Sequence, residues 1–133
     1  MSSVRLVLIR GVPGSGKTWL VNRDFTNMVN VEANDYFSIT GEYKYDKHAL
    51  MQAHKDCFNR ADRLLEEGKS VVVTNTFTRL WEIAPYFELA EKHNLIPRVI
   101  RCTGRYPNLH GVPEEKVRQM LDRFEDISGE EIY

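Results

Sequence analysis

Apolar runs alternate along this chain with amphipathic stripes, and each run is bounded by glycine, proline or a polar cluster. Val4-Arg5-Leu6-Val7-Leu8-Ile9 is nearly continuous and rich in branched aliphatic residues, and Arg10 and Gly11 close it. That pattern predicts a parallel strand covered on both faces. A short helix is predicted from Lys17 to about Phe25, then a brief second strand from Met28 to Val31 leading into Asn34-Asp35. From Asp46 the apolar positions fall at Leu50, Ala53, Cys57, Ala61, Leu64 and Leu65. This three- and four-residue spacing predicts a helix capped by Asp46 and stopped by Gly68.

Ser70 to Thr74 is too short and too β-branched for anything but a buried strand. Leu80 to Asn94 has helical spacing through Ile83, Phe87, Ala90 and Glu91, but Pro85 has no amide to donate, so a turn is expected first and the main helix after it. Ile96 to Cys102 supplies a fourth strand. Pro113 suits the first turn of a last helix, with Glu114 and Glu115 at its positive end and Val117, Met120, Leu121 and Phe124 as its buried face. The tail after Ile127 is expected to fray. Strands alternating with helices predict an α/β fold of about four parallel strands, one domain over residues 1–133, with ligands at the carboxyl ends of the strands.

Composition narrows the classes. Apolar residues are 42% and charged residues 28%, as in a globular protein and unlike a disordered chain. Eighteen Lys and Arg against nineteen Asp and Glu leave a formal charge of −1, which gives no global pull toward polyanions or acidic membranes. Cys57 and Cys102 have no paired metal spacing and suit a reducing cytoplasm. The Val4 to Ile9 run is too short for a signal sequence or membrane span.

The strongest chemical signal is Gly11-Val12-Pro13-Gly14-Ser15-Gly16-Lys17-Thr18, a complete P-loop pattern between a predicted strand and helix. By average residue frequencies it would arise by chance on the order of a few times in a thousand such chains. Its glycines let backbone amides turn inward around phosphate oxygens, at the positive end of the next helix. Lys17 is then the point charge on the β- and γ-phosphates of ATP, and the Thr18 hydroxyl the ligand to Mg²⁺. A nucleotide cradle alone does not separate a kinase from a hydrolase. Asp35, just past the second strand, is the candidate to take a proton from an acceptor hydroxyl; a turn or cap aspartate is the other reading of it.

The P-loop, Glu32 to Phe37, Gly41-Glu42-Tyr43-Lys44-Tyr45-Asp46, Ala53-His54, Asn75 to Glu82 and Asn108 to Pro113 together resemble the small P-loop kinases common in bacteriophages, related to the kinase domain of phage polynucleotide kinase. The likeness covers almost the whole chain. It implies transfer of the γ-phosphate of ATP to a hydroxyl, which in polynucleotide kinase is the 5′-hydroxyl of a nucleic acid. The chain departs from that pattern twice. Asn34 stands where the family's base is usually Asp, leaving Asp35 as the neighbouring substitute, and Thr74 stands where an Asp usually lies near the metal.

Arg101 and Arg105 flank Cys102-Thr103-Gly104 where related kinases have their lid, and are the candidates for an arginine at the γ-phosphate. Arg79 is read either as meeting an acceptor phosphate or as covering the start of its helix. Asn75 and Thr76 are polar groups at a strand end that fit turn chemistry or acceptor binding. His54 reads as a core or boundary histidine, and His110 as a loop residue beside the nucleotide or a pin for the last helix; no zinc site is expected. Tyr36, Phe37, Tyr43, Lys44 and Tyr45 suit either base stacking or packing on the long helix.

The expectation is therefore a P-loop kinase using ATP and Mg²⁺, with Lys17, Asp35, Arg105 and Arg101 as candidate catalytic residues and Gly11 to Thr18 as the nucleotide cradle. A nucleic-acid 5′ end is the first-choice acceptor. A nucleoside, sugar or antibiotic alcohol is the alternative, and a nucleotide-binding protein acting through partners is the rival class. No membrane partner is expected, and the oligomeric state is open.

Overall fold

The runs and stripes become β1 (Leu6–Arg10), α1 (Lys17–Asp24), β2 (Val29–Val31), α2 (Leu50–Glu66), β3 (Val71–Asn75), α3 (Leu80–Lys92), β4 (Arg98–Arg101), α4 (Glu114–Asp122) and β5 (Glu131–Ile132). This is a computed structural model that describes residues 3–38, 47–107 and 111–133. Two short 3-10 segments, Ala33–Ser38 and Lys47–Ala49, follow β2 and precede α2. The Gly41 to Asp46 segment, with Tyr43, Lys44, Tyr45 and the Asp46 cap, lies outside the described residues, as do Asn108 to His110.

The five strands are parallel in the order β2-β3-β1-β4-β5. β1 is central and wholly buried because both of its faces are apolar. Leu6 and Leu8 pack with Ala53, Cys57, Ala61, Leu65, Ile83 and Leu89 of α2 and α3, whereas Val7 and Ile9 pack with Leu20 and Val21 of α1. Val31 aligns with Val73, and Arg10 with both Asn75 and Arg101. The carboxyl ends of β1 to β4 therefore share one edge, and the loops leaving them share one cleft. Among the described residues, no helix is long and apolar enough to cross a membrane.

Three expectations are corrected. α3 runs unbroken from Leu80 through Pro85, because a proline in the second turn forfeits one amide while Ile83, Tyr86, Leu89 and Ala90 anchor the helix in the core. α4 has no fully buried residue; Val117, Met120, Leu121 and Phe124 are half-buried, since the helix lies along the cleft rim and Pro113 is its cap. The tail does not fray but adds β5, with the Tyr133 amide donating to the Arg101 carbonyl at 2.8 Å and the Thr103 amide to the Tyr133 carbonyl at 2.9 Å.

Candidate active site

The Gly11 to Thr18 loop turns on two left-handed glycines, Gly14 at φ 81° and Gly16 at φ 102°, which side chains would strain. Gly11 is fixed by close approach instead. A Cβ there would lie 2.3 Å from Ser15 Oγ and 3.0 Å from the Cys102 carbonyl oxygen. Gly16 caps α1, whose first turn contains no acidic residue, so its free amides face an uncontested anion site.

Lys17 Nζ donates to the carbonyls of Gly11 at 2.7 Å and Val12 at 3.1 Å. Burial lowers its pKa to about 8, opposed by the charges of Cys102 and Glu32. Cys102 is itself pushed up to about 11 by burial, so at neutral pH it is a thiol and Glu32 is the anion acting on the ammonium. A half-buried ammonium resting on carbonyls, within a glycine cradle that closes on Ser15, fits a polyphosphate tail; Ser15 Oγ is buried without a hydrogen-bond partner among the described residues.

The segment after β4 closes over this loop. The Gly104 amide donates to the Ser15 carbonyl at 3.0 Å, and the Tyr106 amide to the Gly14 carbonyl at 2.7 Å. The Tyr106 ring covers Gly16, where a Cβ would stand 3.3 Å away. Arg105 is exposed between these two anchors, outside the residues that line the cleft. Arg101 is committed elsewhere, to Asp126 and Glu130 and over the Phe124 ring.

The cleft beyond the loop encloses about 1990 Å³. Thr18, Glu32, Asn34, Thr74 and Thr76 lie on its walls beside Lys17. Asp35 does not line it. Its Oδ2 accepts from the Glu32 amide at 3.1 Å and from Arg60 Nη1 at 3.2 Å, so this carboxylate holds the turn after β2. Asn75 is buried and joins two strands, its Oδ1 accepting from the Ala33 amide at 2.9 Å. Phe37 is buried against the α2 cluster, with Tyr36 edge-on to it. His54 is an exposed cleft residue rather than a buried one; desolvation lowers its pKa, against the Glu82 charge.

Of the far wall, sequence reasoning named Arg79 as a candidate acceptor contact and His54 and Met120 as core-side residues, and missed the rest. Met51, His54, Lys55 and Phe58 repeat at helical spacing on α2, and Lys116 and Met120 on α4 are followed by Arg123 at its C-cap; all seven line the cleft. Trp81, 74% exposed, adds an aromatic face. Arg79 caps α3 and lines the cleft, donating from Nη1 to the Arg123 carbonyl at 3.2 Å. The helical spacing was the available signal, but it adjoins the core stripe Ala53, Cys57 and Ala61 and reads as part of it.

The chain is 35% identical over 133 residues to NEDD4-binding protein 2 of Homo sapiens, covering 90% of this chain but only 8% of that protein. It thus spans a small fraction of that relative. It superposes on a chain of the Pnkp1/Rnl/Hen1 RNA repair complex with TM-score 0.62 at 16% identity, covering 94% of this chain and 40% of the other. The Mycobacterium tuberculosis APS kinase CysC, solved with AMPPNP and APS, gives TM-score 0.57 at 14% identity, covering 87% of this chain and 67% of the other. These likenesses show a kinase-like P-loop fold. The family model AAA_33, described as an AAA domain, matches residues 6–127, and the chain belongs to that family.

Proposed function

We propose that the protein transfers the γ-phosphate of ATP to a hydroxyl, and that the acceptor is a nucleic-acid 5′ end. The observation that supports this reading best is the pairing of a phosphate cradle with a second wall built for a stacked, anionic ligand. Trp81 and Met51 offer exposed apolar faces, and Lys55, Arg79, Lys116 and Arg123 line the same cleft, adding positive charge there despite the net charge of −1. At about 1990 Å³ the cleft also exceeds the ~300–1,000 Å³ of ordinary small-molecule sites.

Lys17 gathers the terminal phosphates and Thr18 offers its hydroxyl to the divalent cation. A cation held there would supply positive charge against the phosphate tail. The left-handed turns at Gly14 and Gly16 preorganise the amides, so no reorganisation is required as charge moves to the leaving oxygen. Phosphoryl transfer through a loose transition state depends on position more than on a strong base. Asp35 contributes by holding the Glu32 to Asp35 turn through Arg60.

The test is incubation with Mg²⁺ and γ-labelled ATP against 5′-hydroxyl oligonucleotides and small alcohols. Label at the oligonucleotide 5′ end is the expected result. Trp81→Ala should raise the KM for that acceptor about tenfold, the loss of one stacked base, and leave ATP affinity unchanged. Label on a small alcohol alone removes the nucleic-acid acceptor, and nucleotide binding without transfer favours a protein that acts through partners.

A further inference from the structure

We infer that Glu32 supplies, from the end of β2, the negative charge beside the phosphate-bound cation that kinases resembling this chain draw from an aspartate at the position of Thr74. This rests on the MgATP reading above. Val31 pairs with Val73, so the register sets Glu32 beside Thr74. Thr74 Oγ1 donates to Glu32 Oε2 at 2.7 Å, and Asn30 Nδ2 donates to the same Oγ1 at 3.1 Å while also holding the Val72 carbonyl at 3.1 Å. Asn30 occupies an acceptor site on the threonine hydroxyl and directs its one proton at the carboxylate. The threonine that replaces an acid is thus a positioning group for an acid one strand away.

Glu32 is also fixed along its main chain. Its amide donates to Asp35 Oδ2 at 3.1 Å, and its carbonyl accepts from Arg60 Nη2 at 3.0 Å. Among the described residues lining the cleft, the carboxylates are Glu32 and Glu82. Glu82 is taken by the start of its own helix, with Thr78 donating to it from its amide at 3.1 Å and its hydroxyl at 2.8 Å. Glu32 lines the same cleft as Lys17, Thr18 and Thr74. A carboxylate in that place, presented by a neutral hydroxyl, suits a water of the cation's shell, because Mg²⁺ keeps several waters and takes few protein ligands. The departure at Thr74 then relocates the charge rather than removes it.

The experiment measures metal binding as well as turnover. Mn²⁺ binding to the protein with ATP is followed by electron paramagnetic resonance, and ATP affinity by calorimetry with and without Mg²⁺. Glu32→Gln should weaken Mn²⁺ in the ternary complex about tenfold or more while leaving metal-free ATP affinity equal or tighter. The double variant Glu32→Gln with Thr74→Asp should restore Mn²⁺ binding, which a merely structural glutamate would not allow, and thermal melts of both variants verify folding. Unchanged Mn²⁺ affinity in Glu32→Gln, or no restoration in the double variant, overturns the inference. Wild type that binds Mn²⁺ and ATP but phosphorylates nothing ends the kinase reading alone and leaves the Glu32 result decisive; wild type that binds no nucleotide ends both.

Discussion

The Arg10 guanidinium and the Glu130 carboxylate lie 2.8 Å apart, 0% and 6% exposed, across 120 residues of sequence. Arg10 also donates to the Phe77 carbonyl from Nε at 3.0 Å and Nη2 at 2.7 Å, and stacks 4.3 Å over the Phe124 ring. Phe77 is left-handed at φ 46°, a strained state for a bulky residue. The arginine thus ties the end of β1 to the cleft loop after β3 and to the tail before β5.

Glu130→Ala strands a buried guanidinium, and a loss of about 3–5 kcal/mol in urea unfolding is expected, as for other broken buried pairs. Replacing both partners together, Arg10→Met with Glu130→Leu, should cost less than the single change. A double variant less stable than Glu130→Ala would mean that the contacts to Phe77, not the ion pair, dominate.

The P-loop was legible because its chemistry is contiguous: one strand, eight consecutive residues and one helix write it in sequence order. The sheet was legible for the same reason, as each buried strand is a local apolar run. Arg10 was not, since an arginine closing such a run reads as a solvated edge, and nothing nearby in sequence points to Glu130. β5 was hidden by its two-residue length and its polar Glu131, whose pairing partner is β4 rather than anything local. Asp35 illustrates a further limit. Position after a strand marks a carboxylate as near the cleft, but which way it turns depends on Arg60 from another helix.

Lys17 makes the phosphate loop sensitive to pH. Its folded pKa of about 8 lies below the ordinary 10.5, so between these values the unfolded chain binds more protons and stability rises with pH. Below pH 8 the partly desolvated ammonium costs on the order of 3 kcal/mol. Lys17→Met should therefore stabilise the nucleotide-free protein at pH 7 by about 1–3 kcal/mol, a gain absent at pH 10.5 and above, while eliminating ATP binding. Urea titrations at the two pH values measure it. A phosphate tail reverses the shift, so ATP binding at pH 9 should take up protons, read as a difference in calorimetric heat between buffers of unlike ionisation enthalpy.

Gly104 is a tight point between the segment after β4 and the phosphate loop. A Cβ there would meet Tyr106 Cε2 at 2.4 Å and the Ser15 carbonyl oxygen at 2.8 Å. The ring can swing away but the backbone oxygen cannot, so the segment must lift and the Gly104 to Ser15 hydrogen bond must lengthen. Gly104→Ala is expected to destabilise by about 1–3 kcal/mol and to weaken ATP at least tenfold. Calorimetry with ATP and a thermal melt separate the two effects, and full affinity in the variant would show that the lid contact does not shape the cradle.

The remaining question is whether Asp35 acts on the acceptor or on the turn. Arg60 Nη1 reaches Asp35 at 3.2 Å, its Nε reaches Asp56 at 2.9 Å and its Nη2 the Glu32 carbonyl at 3.0 Å, so one side chain links α2 to the turn after β2. The pair is partly exposed, with side chains 26% and 43% accessible, which limits its worth in stability to about 1 kcal/mol. If Asp35 positions the turn, Asp35→Asn and Arg60→Met slow transfer by similar, modest factors of about 3–10, and the double variant is little slower than either, the non-additive signature of one shared contact. If Asp35 removes the acceptor proton, Asp35→Asn abolishes transfer and Arg60→Met does not. Single-turnover rates for the three variants, with ATP saturating, distinguish these outcomes, and the contacts of Arg60 favour the first.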